Sequence, residues 1–172
     1  MLRRRLGITA ILCLLLPGAC SRNAAVPAVA GASQTQVCVL ADYGIKEGMN
    51  GYTRGWHTSL GRWMERDLQR QLTKAGYQVK PITSRGEFQP GPAKYLVVIT
   101  VTEVMGGTVG TSIGIAAAGG ASMHSRYEIF GEGPQPLASD ERGEVSSRSV
   151  NHCAQKRNRD TVTALNGIVS KK

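Results

Sequence analysis

Apolar residues recur along this chain with two different periods, and the change of period marks out its elements. Across residues 53–75, Trp56, Leu60, Trp63, Met64, Leu68, Leu72 and Ala75 return every three or four positions, which places them on one face of a helix. Gly76 predicts the stop, since it adopts the left-handed conformation that ends helices. Ahead of the helix, residues 37–41 form a short apolar run that reads as a buried first strand, followed by a loop from Asp42 to Gly51. Behind it, residues 77–82 read as a second strand, closed by a loop built on Gln89-Pro90-Gly91-Pro92. Residues 95–104 send apolar side chains to both faces, as a central strand requires. Residues 121–130 alternate, with Met123, Tyr127 and Ile129 on one side and His124, Arg126 and Glu128 on the other, the pattern of a half-exposed strand. Residues 131–140, carrying Pro134 and Pro136, predict a long turn, and residues 144–150 a weaker strand. Asp160 then caps a short terminal helix with Val162, Leu165, Ile168 and Val169 inward.

The order strand, helix, strands, helix implies an α+β fold in a single domain spanning residues 37–172. A strand–helix–strand start calls for a right-handed parallel crossover, and strands joined by turns call for antiparallel pairing. The expected architecture is a mixed β-sheet with one long helix on a face and a short C-terminal helix. Trp56 and Trp63 are read as core anchors against that sheet.

The first residues have a different character. Arg3, Arg4 and Arg5 precede an apolar stretch, residues 6–16, too short to span a bilayer, which is the layout of a secretory signal. Cys20 follows the small residues Gly18 and Ala19. This resembles the bacterial lipoprotein signal, in which cleavage makes the acylated cysteine residue one, although Pro17 stands where that pattern favours Leu. The reading assigns residues 1–19 to a signal peptide, lipid attachment to Cys20, and residues 20–36, rich in Ala, Gly, Ser and Pro, to a flexible tether. Cleavage near Ala30-Gly31-Ala32 is the alternative, and would release a soluble secreted protein.

A lipidated cysteine, a strand ending in Ala41-Asp42-Tyr43, a helix closing in RQLTKAGYQV (70–79), the strand YLVVITVTEV (95–104) and a glycine-rich connection together resemble a family of bacterial lipoproteins known only as a domain of unknown function. That family is distantly similar to the amino-terminal domain of TolB and to the curli secretion lipoprotein. The resemblance covers most of residues 37–150 and carries no catalytic residue with it. It implies an α+β domain held on the periplasmic side of the outer membrane, and Ser21 after the cysteine agrees with outer-membrane sorting.

The chain carries a net charge of +9, of which the signal holds Arg3, Arg4 and Arg5. Outside the cytoplasm such a charge points to lipid headgroups or acidic envelope partners, and not to nucleic acid. Arg62, Arg66, Arg70 and Lys74 stand four apart on the long helix, either a docking face for an anionic partner or a solvated face offset by Glu65 and Asp67. With Cys13 in the signal and Cys20 acylated, Cys38 and Cys153 remain as a candidate disulfide in an oxidising compartment, or as two separately buried thiols. A zinc site with His152 lacks further ligands at suitable spacing.

Gly106, Gly110 and Gly114 stand four apart in an uncharged segment, residues 106–120. On a helix they would form a close-packing stripe for membrane insertion or a homo-oligomer, and the preferred reading is a glycine-rich connection between strands. The segment GTSIG (110–114) spells a serine nucleophile motif, with Asp140 or Glu141 and His152 downstream, but no strand-to-helix elbow surrounds Ser112. His57, His124 and His152 form no metal pattern, and no catalytic residue, metal or cofactor is assigned. The expected role is a non-enzymatic adaptor or subunit of an envelope assembly, with other envelope proteins as partners; the alternative is an oligomeric membrane-inserting component built on residues 106–120.

Overall fold

A five-stranded mixed sheet carries two helices on one face. The computed structural model describes residues 26–105 and 121–171. In chain order the elements are β1 (Gln36–Asp42), α1 (Gly51–Lys74), β2 (Gln78–Ile82), β3 (Lys94–Met105), β4 (Ala121–Phe130), β5 (Pro136–Ser146) and α2 (Val150–Val169), and the sheet order is β2-β1-β3-β4-β5. β1 pairs in parallel with β2 and β3, while β3, β4 and β5 are antiparallel. The expected α+β fold, with its parallel start and antiparallel continuation, is the observed one.

The main core lies between the sheet and both helices. Met64, Leu68 and Leu72 from α1 and Val162 and Leu165 from α2 are fully buried against Val37, Val39, Val97 and Ile129. Each such side chain contributes about 1.5–3 kcal/mol by leaving water. Trp56 and Trp63 are only partly buried at the margin of this core, so they border it and do not anchor it. The helix stop is as expected: Gly76 has φ 92°, and the Tyr77 N–H returns to the Leu72 carbonyl. Gly61 serves a different need, because a Cβ there would lie 2.3 Å from the Tyr43 ring that packs on it.

The opposite face of the sheet holds a smaller cluster of Cys38, Ile82, Leu96, Val98 and Phe130. Its cover comes from the β2–β3 connection, where Phe88 packs on the cluster and the Arg85 guanidinium sits 4.6 Å above the Phe130 ring while pairing with Glu128 at 3.2 Å. This arrangement overturns the candidate disulfide. Cys38 belongs to this face, whereas Cys153, on α2, belongs to the main core, and both are free and buried. Alternate residues of a strand point to opposite faces, so the sheet itself stands between the two thiols.

Three boundaries differ from those expected. β5 starts at Pro136, not after a long turn, and proline is tolerated there because β5 is an edge strand. Residues 26–36 are not a tether: Val26 and Val29 pack on the main core, and Ala32 and Thr35 are buried. α2 starts ten residues before Asp160, capped by the Ser149 hydroxyl, which accepts from the His152 N–H at 3.3 Å. The apolar period of its first half is broken because its buried side carries Arg157 and Asn158 beside Val150, Cys153 and Ala154, with buried Thr161 following.

Arg157 is the largest of these buried groups, at 1% exposure. Its guanidinium donates to the Asp140 carboxylate and carbonyl and to the Ser125 carbonyl (3.3 Å), and lies 4.7 Å from the Tyr127 ring centroid. Asn158 ties α2 to α1, donating at 2.9 Å both to the Met64 carbonyl and to Asp67, which also takes Gln71 (2.6 Å) and Arg70. The hydrogen bond from Arg157 holds the Asp140 carboxyl below the usual carboxylate range.

This packing sets how the thiols react and how stability responds to mutation and pH. Under native conditions Cys38 and Cys153 should resist a thiol reagent, since burial pushes both thiols up, and react fully in denaturant, while reductant leaves the melting temperature unchanged; a drop in melting temperature on reduction would contradict the separated thiols. Arg157→Ala should cost about 3 kcal/mol and Arg157→Met less, because Asp140 is 39% exposed and can turn to water once its partner is gone. The stabilisation from the depressed Asp140 carboxyl is present above its unfolded value and is lost as pH falls below about 4, so urea titrations of Arg157→Met should show a weaker acid-side loss than wild type.

Candidate functional site

Where β5 passes into α2 the chain forms a cleft of about 440 Å³ lined by Ser146, Ser147, Arg148, His152, Lys156 and Arg159, with Val145 and Gln155 completing the wall. Local hydrogen bonding shapes it. The Ser146 hydroxyl accepts from the Arg148 N–H at 3.0 Å, and the Ser149 hydroxyl caps the helix, so the strand end turns tightly into α2. From there His152, Lys156 and Arg159 follow at helical spacing along one side of α2, with Arg148 just ahead of its N-cap.

The wall contains three permanent cations and no acid. Lys156 is partly neutralised, donating at 2.6 Å to Glu144, a carboxylate whose side chain is 7% exposed and which also pairs with Arg142 at 3.1 Å. Arg142 extends this set to Asp140 at 3.5 Å and to Asp160. The acids of this region are therefore engaged by Arg142, Lys156 and Arg157. Among the described residues, Arg148 and Arg159 have no acidic partner. A cleft of that make-up can take an anionic group, a carboxylate or a phosphate, with serine hydroxyls available as further donors.

The residues expected to form an anionic-partner face stand as an exposed row on α1, apart from this cleft. Arg62, Arg66, Arg70 and Lys74 are all exposed, and none lines the cleft. Arg70 is paired with the buried Asp67. At the upper end of the row the Tyr43 hydroxyl donates to Glu65 at 2.9 Å, and burial, with Glu65 beside it, pushes that hydroxyl up. His57 is a buried core histidine whose Nδ1 stands 2.8 Å from the Tyr43 carbonyl.

The remaining sequence candidates divide between the described and the undescribed chain. Cys20, the signal peptide, Gly106, Gly110, Gly114 and Ser112 lie outside the described residues. Asp140, offered by the hydrolase reading as a partner for His152, is instead taken up by Arg157. Among the described residues no group of His, Cys, Asp and Glu could hold a metal ion, and no helix is long and apolar enough to cross a membrane. Sequence reading missed Arg148, Lys156 and Arg159 as a set: they stand eight and three apart, not four apart as in the α1 row, and placing the start of α2 at Asp160 left Lys156 and Arg159 outside any element.

No family model matches the chain, and no curated protein sequence matches it, so the resemblance to the lipoprotein family of unknown function gains nothing from sequence comparison. Among solved structures, a PelC dodecamer from Paraburkholderia phytofirmans aligns with a TM-score of 0.49 at 17% identity, covering 82% of this chain and 93% of the other. The hypothetical protein CT253 from Chlamydia trachomatis aligns at 0.48 and 14%, covering 80% and 99%. The lipoprotein GNA1162 from Neisseria meningitidis aligns at 0.38 and 13%, covering 80% and 99%. Likenesses this distant carry no argument about what the chain does.

Proposed function

We propose that this protein is a lipid-anchored, non-enzymatic adaptor of the bacterial envelope, attached through acylated Cys20 to the periplasmic face of the outer membrane. Its α2 cleft receives an acidic group of an assembly partner. The observation that carries the docking role is the pair Arg148 and Arg159, which face a cleft of about 440 Å³ without an acidic partner among the described residues. Support for the anchor comes from the basic lead, the short apolar run and the small residues before Cys20.

The anchor is tested by cell fractionation. Cys20→Ala should move the protein from the membrane pellet to the soluble fraction, and intact mass of the native product should show diacylglycerol on a chain beginning at Cys20; an unchanged pellet rejects the anchor.

The docking role is tested with a short oligo-aspartate peptide and with inorganic phosphate as probes. Arg148→Glu with Arg159→Glu should weaken peptide binding by about tenfold or more, while Arg66→Glu with Lys74→Glu changes it less than about twofold. Equal losses in the two double variants would remove the cleft as the docking site.

A further inference from the structure

The chain enters the domain at one end only. The Pro27 carbonyl accepts from Asn166 Nδ2 at 2.9 Å, one turn before the end of α2, and Asn166 is itself held by the Tyr77 hydroxyl at 2.6 Å. Burial pushes that hydroxyl up to about 12, so it stays a donor through the physiological range. Gly31 lies beside Val169, and Gly76 beside Ala28 and Ala32. Thr35 then hands its carbonyl to the Gln78 N–H at 3.0 Å. Residues 26–35 thus form a strap across the C-terminal ends of α1 and α2 and the starts of β1 and β2.

That end of the molecule is basic. Lys74 closes α1, Lys171 follows α2, and Lys94 opens β3 opposite Gln36 of β1. Glu132, in the β4–β5 turn, is an acid at the same end. The other end holds the helix N-termini, the exposed Tyr52 and the α2 cleft.

We infer that the anchored protein stands with the C-terminal ends of both helices toward the bilayer, Lys74, Lys94 and Lys171 against acidic phospholipid headgroups, and the α2 cleft turned away from the membrane. The inference rests on acylation of Cys20. Residues 21–25 separate Cys20 from Val26, a span of at most about 21 Å. α1, at 24 residues, is about 36 Å long, so its N-terminal end cannot reach the bilayer with the strap end uppermost. What remains is upright or lying on a side. Basic groups within a Debye length, about 8–10 Å, of an acidic surface are drawn to it, and the lysines at the strap end favour the upright stance.

The test uses the mature acylated protein on phosphatidylethanolamine/phosphatidylglycerol vesicles containing a nitroxide-headgroup lipid. A fluorophore is placed in turn at Lys74→Cys, Lys171→Cys, Tyr52→Cys and Ser147→Cys; the native Cys38 and Cys153 stay buried and unlabelled. Quenching should be several-fold stronger at 74 and 171 than at 52 and 147. Adding Lys94→Glu with Lys171→Glu, read from the label at 74, should bring the quenching there down toward the level at 52. Equal or reversed quenching on protein that sediments with the vesicles overturns the orientation alone, as does quenching at 74 that ignores the charge reversals. Protein that fails to sediment overturns the anchor and the orientation together.

Discussion

The fold depends on how it accommodates the guanidinium of Arg157, a full charge placed between α2 and the sheet at 1% exposure. An ion in that position is tolerated where its charge is offset and most of its donors are matched; here both terminal nitrogens are paired, while Nε has no partner among the described residues. Asp140 supplies both a carboxylate and a carbonyl, Ser125 a second carbonyl, and Tyr127 an aromatic face. These groups come from β4 and β5, so satisfying one side chain sets the position of α2 relative to both strands. Asn158, next in sequence, does the same toward α1 through Met64 and Asp67. Adjacent residues on α2 therefore fix that helix to the sheet and to α1 by hydrogen bonds.

The surface chemistry follows from that placement. Because Arg157, Arg142 and Lys156 take up Asp140, Asp160 and Glu144, the acids near the start of α2 are used internally. The cations beyond them, Arg148 and Arg159, face the cleft unneutralised by any described acid. A structural ion network thus borders an anion-accepting cleft, with Lys156 belonging to both. At the opposite end of the molecule the strap of residues 26–35 joins the helix termini to the first strands, so the chain enters at the end of α2 away from the cleft, whose wall runs from the start of that helix to its middle at Arg159.

Much of the fold was legible from periodicity. α1 could be read because Leu60, Met64, Leu68 and Leu72 repeat at helical spacing against a single face, and β3 because a strand covered on both faces is apolar throughout. The first half of α2 was not legible, since its apolar inward positions Val150, Cys153 and Ala154 give way to Arg157 and Asn158, whose burial depends on partners 17 to 94 residues away along the chain. Pro136 misled in the same region, because its fitness for a strand depends on β5 lying at the sheet edge. The cleft was hidden with the helix that builds it.

By itself the sequence determined the element types, the α+β order, the exposed row on α1 and the layout of the first twenty residues, because local periodicity and side-chain class suffice for these. Tertiary structure alone decided that Cys38 and Cys153 lie on opposite faces of the sheet, that residues 26–36 are packed and not free, and that Arg148 and Arg159 border a common cleft. The reason is physical: strand pairing and buried hydrogen bonds connect residues far apart in the chain, and which cation keeps its charge for the surface is settled only once the acids have found their partners inside.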